Sequence, residues 1–394
     1  MKHALLSASG SHRWLHCTPS ARLTESYEDT TSTYAAEGTL AHELAELMLT
    51  YAFKLKGDTK AAYLSAMALI TERELYSPEM FEYIKGFVDF VREEYAAVKA
   101  LDPNAIINFE QRLDYSAYVP EGFGTGDVVI AGAGIVQIID LKYGKGVRVD
   151  CVDNTQLMLY GLGALLWASM LWDVKEVRTT IYQPRMDNIS TYELCADSLL
   201  EWAENELKPK AELAWDGAGD FVPGDHCRFC KAKPTCRALA EHNLKLQAYE
   251  YKKGPHMTNA EIADILKISD RLKNWAESIK AHALKTALDG AQYEGWKVVE
   301  GTSRRRYTDE SAIKDALKAK RFRVRDICES KLLSIGKLEK VVGKSLLQEL
   351  AGDFIDKPPG KPTLVPSDDP RKPFNDAVAD FAHVDTDKYK EKNT

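Results

Sequence analysis

Gly124-Thr125-Gly126-Asp127-Val128-Val129-Ile130-Ala131-Gly132-Ala133-Gly134-Ile135-Val136-Gln137-Ile138-Ile139-Asp140-Leu141-Lys142 is the stretch on which the fold turns. Two short runs rich in Ile and Val, Thr125–Ala131 and Ile135–Leu141, flank Gly132-Ala133-Gly134 and read as a β-hairpin. Side chains alternate along a strand, so Asp140 and Lys142 leave the same face. A two-residue turn at Ala133-Gly134 places Asp127 opposite Asp140, whereas a three-residue turn centred on Ala133 would send Asp127 to the other face. An even-length connection or a compensating bulge is therefore expected.

Working outward, the period is helical on both sides. Leu40, Leu44, Leu47 and Met48 recur at helical spacing after Gly38-Thr39, and Pro78–Leu101 carries Phe81, Ile84, Val88 and Val91 on one side. Ala105–Leu113 reads as a strand before the hairpin. Asn154–Trp172 returns to helix, Val177–Gln183 and Ser190–Leu194 read as strands, and Ala196–Ala214 as a further helix. Beyond the cysteine-rich stretch, Asn259–Leu288 is a long helical pattern. Gly295–Glu300 and Arg304–Thr308 are expected to pair across Gly301-Thr302-Ser303, with lysine-rich helical segments at Ser311–Lys320 and Ile335–Leu350. The chain is thus an α/β protein whose strands lie between a helical N-terminal part and an α-rich C-terminal region.

Asp127 and Asp140 at close range repel one another and favour a divalent cation between them. Mg²⁺ or Mn²⁺ held there would polarise a phosphoryl oxygen and lower the pKa of a bound water. Lys142 beside them can orient that water or stabilise developing charge. Glu110, in Phe109-Glu110-Gln111-Arg112, can add a carboxylate from the preceding strand. An isolated Asp-x-Lys is most often only an exposed ion pair, so the context decides.

These residues, with Gln156-Leu157-Met158-Leu159-Tyr160 after them and Gly38-Thr39-Leu40-Ala41-His42 before them, resemble the PD-(D/E)XK nuclease superfamily, in its RecB/AddB-like branch. That branch pairs a Gly-x-x-Asp strand with an (Asp/Glu)-x-Lys strand, then carries Gln-x-x-x-Tyr on a helix, where i and i+4 share a face. The resemblance implies a restriction-endonuclease-like mixed sheet flanked by helices and a metal held by His42, Asp127, Asp140 and the Leu141 carbonyl. It further implies that Lys142 acts on the water, while Gln156 and Tyr160 position active-site groups or nucleic acid. The implied activity is a divalent-metal-dependent DNA nuclease, an exonuclease on DNA ends or single strands, in recombination, repair or replication. The whole chain also resembles phage-encoded proteins of an uncharacterised nuclease-like family. The alternative is a catalytically inactive nucleic-acid-binding or assembly protein that keeps the fold.

Seven cysteines, an odd number, make a poor disulfide framework. Cys227-x2-Cys230-x5-Cys236 can share a metal centre, and a tetrathiolate site needs a fourth ligand. Cys17, in Ser11-His12-Arg13-Trp14-Leu15-His16-Cys17-Thr18-Pro19, matches the iron–sulfur members of the same branch. They place one cysteine before the nuclease core and three after it, although here Thr18 intervenes before the proline. Spacing does not separate Zn²⁺ from a [4Fe–4S] cluster; the resemblance favours the cluster, as a staple closing the domain. Cys151, Cys195 and Cys328 lack ligand spacing and are expected to be small buried apolar residues.

The composition, 45% apolar and 28% charged, excludes wholesale disorder and low-complexity classes. No apolar run is long enough for a membrane span, and Met1–Leu6 is too short for a secretory signal, so the expected setting is cytoplasmic. The net charge of −7 argues against indiscriminate nucleic-acid binding, yet Lys231–Arg325 holds 21 Lys/Arg against 12 Asp/Glu. Cations interleave with aromatics at Ser303–Tyr307 and Lys318–Arg325, a pattern that can track phosphates and bases or form an ordinary solvated surface. The expected organisation is a nuclease domain over 1–240, closed by Cys17, Cys227, Cys230 and Cys236. A mainly helical accessory domain over 241–355 follows, then a proline-rich linker or tail over 356–394. The end of that tail, around Phe374–Phe381, is a candidate dock for a recombination or replication partner.

Overall fold

The structure is a computed structural model that describes residues 4–27, 33–53, 60–144, 146–245, 258–303, 305–328, 332–358, 360–366 and 371–374. Two compact units divide the chain, Met1–Trp275 and Ala276–Thr394. Among the described residues no helix is long and apolar enough to cross a membrane.

The first unit is built on a five-stranded mixed sheet in chain order: β1 (Ile106–Asp114), β2 (Phe123–Gly132), β3 (Ile135–Leu141), β4 (Glu176–Gln183) and β5 (Asn188–Cys195). Only β3 and β4 run parallel, and the other neighbours are antiparallel. A parallel pair needs a crossover, which the helix Thr155–Ala168 supplies. Helices α1 (Thr33–Ala52), α2 (Lys60–Thr71) and α3 (Pro78–Leu101) precede the sheet, and the crossover helix is α4. The α3 helix begins at Pro78, as the sequence predicts, and Ser77 caps it, its Oγ accepting from the Met80 N–H at 3.1 Å.

Alternation divides the core into two layers. Val129, Ala131, Val136 and Ile138 pack on the α4 side with Leu157, Leu162 and Leu165. Val128, Ile130, Ile139 and Leu141 pack on the other side, with Leu40 and Leu44 of α1 and Ile84, Phe87 and Val91 of α3. Both faces of β2 and β3 are therefore covered, which is why these strands read as unbroken apolar runs.

The hairpin connection is even. Gly132 pairs with Ile135, leaving the two-residue turn Ala133-Gly134 with φ of 54° and 76°. Both central residues are left-handed, the primed turn whose twist suits a hairpin. Ala133 tolerates this with its N–H bonded to Asp102 Oδ2 at 3.0 Å. No compensating bulge is needed.

Several elements differ from their expected bounds. The helix expected over Asn154–Trp172 stops at Ala168, with Asn154 as its cap. The helix expected over Ala196–Ala214 is interrupted: α5 (Ala196–Trp202) and α6 (Lys208–Asp216) flank a π-turn at Ala203–Leu207. Pro209 explains the break, since it cannot donate to the carbonyl four residues back. Helix α7 (Arg237–Leu244) follows, then α8 (Asn259–Leu288).

In the second unit, α9 (Glu310–Ala319), α10 (Ile335–Val342) and α11 (Lys344–Ala351) bury Ile313, Leu317, Leu338 and Leu347 around Ile327. Gly343, at φ 88°, separates α10 from α11 within the expected Ile335–Leu350 stretch. The expected pairing of Gly295–Glu300 with Arg304–Thr308 is not made. β6 (Trp296–Glu300) pairs with β9 (Pro362–Pro366), and β7 (Arg306–Tyr307) with β8 (Ile355–Asp356). The proline-rich stretch therefore contributes an edge strand, a position where proline's missing N–H is tolerated. The candidate docking residues 375–381 lie outside the described residues. In the cation–aromatic stretches, Tyr307 and Phe322 pack against the apolar cluster, and Arg306 lies 3.8 Å from Asp356.

Candidate metal centre

One step along the β2–β3 ladder beyond Val128–Ile139 brings Asp127 opposite Asp140, as the even turn requires. Asp127 Oδ2 accepts the Leu141 N–H at 2.7 Å, and Asp127 Oδ1 lies 3.3 Å from His42 Nδ1 of α1. His42, Glu110 and Asp127 each offer a ligand atom within 4.8 Å of the other two. Three distant segments thus meet midway along β1 and β2.

The carboxylates are arranged differently from the simplest expectation. Asp140 falls outside that three-residue group: it is 3% exposed, and its Oδ2 sits 2.8 Å from Lys142 Nζ. That ion pair apart, Asp140 Oδ2 has no hydrogen-bond partner. Glu110 enters the group through an unusual backbone, φ 46° inside a strand. The register is the same on both sides of it, Phe109 with Val128 and Gln111 with Gly126, so the chain kinks without slipping. A left-handed glutamate in a strand is strained, and such strain concentrates at functional sites. Leu141 supplies its N–H to Asp127, a contact the sequence reading did not assign.

Lys142 continues into a polar chain. Its Nζ is 3.4 Å from Gln156 Oε1, and Gln156 Nε2 is 3.1 Å from the Tyr160 hydroxyl. Gln156 sits in the first turn of α4, whose cap Asn154 accepts from the Gln156 and Leu157 N–H groups at 3.1 and 3.3 Å. The Tyr160 ring lies so close to Gly124 that a Cβ there would stand 2.5 Å from Tyr160 Cε1. The glycine that opens Gly124-Thr125-Gly126-Asp127 is the space the tyrosine fills.

The electrostatics match a centre crowded with anions. Burial opposes a charge on His42, but Asp127, Asp140 and Glu110 outweigh it and raise the imidazole to about 9. Burial and then Asp127 push the Glu110 carboxyl up to about 7. Burial also raises Asp140, while Lys142, despite its own burial, is held protonated by Asp140. Glu46 adds to the field at Glu110. Sequence reading passed over it, although it stands at i+4 from His42 and hence on the same face of α1.

The Glu110 and Asp127 carboxylates suit Mg²⁺ or Mn²⁺, whereas an imidazole such as His42 is a softer donor than those ions prefer. The meeting of His42, Glu110 and Asp127 ligand atoms within 4.8 Å, with His42 and Glu110 both holding protons more tightly than usual, fits a place where a cation would relieve charge.

At the other end of the unit's chain, Cys17, Cys227, Cys230 and Cys236 line one cavity together with Arg13 and His226. Burial raises the Cys227 and Cys230 thiols, and each feels Cys17 and Cys236. Thr18, the residue that intervenes before Pro19, donates to the Ala218 carbonyl at 2.6 Å, and Arg22 donates to Trp215 O at 2.6 Å. The N-terminal segment is thereby bound to the stretch that leads into the cysteines. Of the other cysteines, Cys151 is buried as expected, Cys328 is half-buried and Cys195 is exposed. Cys328 and Cys195 both depart from the expected burial, and Cys195 ends β5 at the start of α5.

Two solved structures share distant similarity. The crystal structure of SSO0001 matches at 15% identity and a TM-score of 0.22, over 58% of this chain and 96% of that one. A protein from Eubacterium rectale described as "Putative exonuclease" matches at 10% identity and a TM-score of 0.32, over 65% of this chain and 92% of that one. The family described as "Protein of unknown function (DUF2800)" matches residues 3–372, and the chain belongs to it.

Proposed function

We propose that this protein is a divalent-metal-dependent phosphodiester hydrolase acting on DNA, as an exonuclease at ends or on single strands. The observation that carries the reading is the meeting of His42, Glu110 and Asp127 within 4.8 Å, beside the Asp140–Lys142 pair. Asp127, Glu110 and His42 would hold Mg²⁺ or Mn²⁺, with Asp140 and the Leu141 carbonyl completing the donor set. The cation would supply Lewis acidity at the scissile phosphate. Lys142 carries its proton beside Asp140, so it serves as a fixed positive charge for the phosphoryl oxygens and a donor that orients the attacking water. Gln156 holds the Lys142 ammonium in line, and Tyr160 in turn holds Gln156.

In this reading the four cysteines carry a structural [4Fe–4S] cluster, with Zn²⁺ as the rival occupant. It is supported by the one-then-three order of the cysteines and their meeting in one cavity. Iron, sulfide and zinc analysis of anaerobically purified protein separates the two, and a colourless, zinc-loaded sample without sulfide would defeat the cluster.

The activity is tested by following labelled single- and double-stranded DNA with Mg²⁺ or Mn²⁺ present. The wild type degrades DNA, EDTA stops it, and Asp140→Ala abolishes it. Full activity in Asp140→Ala, or DNA binding by the wild type with no cleavage under either metal, would sink the hydrolase.

A further inference from the structure

Arg185 lies on the short turn Pro184–Met186 that leaves β4 and is not one of the residues placed in the centre so far. Its guanidinium is nonetheless held from two directions. Nη1 lies 2.9 Å from Glu37 Oε2 of α1, and Cζ lies 4.8 Å from the centroid of the Tyr143 ring. The Arg185 side chain is 11% exposed, so the pair sits largely out of water. Tyr143 follows Lys142 directly, is buried, and meets Tyr83 of α3 edge-on at 6.3 Å between centroids.

Each contact reaches a wall of the candidate metal centre. Glu37 is five residues before His42 on α1, about 7.5 Å along the helix axis. Tyr143 continues the strand that carries Asp140 and Lys142, and the Lys142 N–H donates to Tyr182 O at 2.9 Å on the strand that ends at the Arg185 turn. The turn is itself braced: buried Gln183 donates to the carbonyls of Gly144 and Val147 at 2.8 and 2.9 Å. Arg185 therefore ties the helix that bears His42 to the strand ends that bear the acidic and basic groups. An arginine is suited to this because its planar fork pairs with a carboxylate while its face lies on a ring, and a lysine cannot do both equally.

We propose that Arg185 is a positioning residue for the metal centre, a strap that, through Glu37 and Tyr143, holds α1 so that His42 meets Asp127. This rests on reading His42, Glu110 and Asp127 as a metal centre. Outer partners that orient ligands govern affinity even where they touch no metal, so losing the strap weakens cation binding about 10-fold.

The test is Mn²⁺ calorimetry on the full chain, with hydrogen exchange over residues 35–42 as a readout that needs no metal. Arg185→Met and Glu37→Gln each weaken Mn²⁺ binding about 10-fold, the double variant is no weaker than either, and Arg185→Lys recovers part of the loss. Backbone amides over 35–42 lose protection in Arg185→Met. Leu199→Ala, a core truncation on the α4 side, lowers the melting temperature without changing Mn²⁺ affinity. Unchanged affinity in folded Arg185→Met overturns the proposal, as does an equal loss in Leu199→Ala. Should Arg185→Met fail to fold, Glu37→Gln carries the same comparison. A wild type that binds no Mn²⁺ defeats the metal reading instead, and the exchange data then decide the strap alone: unaltered protection over 35–42 removes it.

Discussion

Tyr160 and Gly124 share a space that accommodates one ring and no additional carbon. Gly124→Ala would put a Cβ 2.5 Å from Tyr160 Cε1, so the ring must move off Gln156 or β2 must shift. Overpacking of this kind costs about 1–3 kcal/mol. The expected result is a lower melting temperature by calorimetry together with slower DNA degradation, because the displaced ring releases Gln156 from Lys142. A variant with wild-type stability would mean that the ring has room after all. Protonation at the centre gives a second residue-scale prediction. In the metal-free fold His42 keeps its proton to about 9, against an ordinary value of 6.5, and Glu110 keeps its own to about 7, against 4.5. For His42 the stabilisation is complete below 6.5 and is lost as pH rises through 9. For Glu110 the sign is the same: the folded state binds more protons between 4.5 and 7, so stability falls across that window. If a metal is ligated there it must expel these protons, so Mn²⁺ affinity rises with pH up to about 9, by up to about 10-fold per unit between 7 and 9 and more steeply below 7, where Glu110 is protonated too. Calorimetry in buffers of different ionisation enthalpy counts the protons released, and a pH-independent affinity would mean that neither group is displaced by the metal.

Among the elements, α4 joins fold and chemistry most directly, since its first two turns present Gln156 and Tyr160. Asn154→Ala removes an acceptor from two N–H groups and costs about 1 kcal/mol. It should also fray the turn that positions Lys142, so turnover falls while DNA affinity is kept, and Asn154→Asp, which still caps, restores both stability and rate. Equal rates in Asn154→Ala and wild type would separate the cap from the site. The elements that govern this region are those whose signals are local. The Ile/Val runs, the glycine-flanked turn and the 3.6-residue period of Pro78–Leu101 all lie within a few residues of the structure they encode. The hairpin was legible for that reason, but its parity was not, since Gly132-Ala133-Gly134 suits a two-residue or a three-residue turn. The partner of β6 was not: pairing with Arg304–Thr308 is nearest in sequence, but Pro362–Pro366 takes the edge through contacts no local pattern reports. Within the site, the residue types were readable, whereas the left-handed Glu110 and the turn of Asp140 toward Lys142 depend on groups from other strands and helices. Glu46 lay within reach of an i,i+4 reading of the His42 helix.

At the scale of the whole molecule, a cluster on the four cysteines would connect the beginning of the chain to the stretch that follows the sheet. Cys17 and Cys227 enclose about 210 residues, and a cross-link closing a loop of that length stabilises by about 5 kcal/mol on chain entropy alone. If all four thiols hold one cluster and three do not retain it, losing any ligand releases the cluster and opens the same loop. Cys17→Ser and Cys236→Ser should then lower stability by similar amounts, and the double variant should lose little more than either single one. Independent sites would instead add their effects. Cys195→Ser is the control, since that thiol is exposed and lines no shared cavity with the four. Thermal denaturation of anaerobically prepared protein, with iron and sulfide quantified in each variant, checks the pattern. Cys17→Ser that retains a full complement of iron and sulfide and melts with the wild type would release the N-terminus from the staple. Thr18 and Arg22 would then be left to hold it by hydrogen bonds to Ala218 and Trp215 alone. Additive losses in the double variant would mean that Cys17 and Cys236 act at separate places, and a four-thiol centre could not then be what closes the domain.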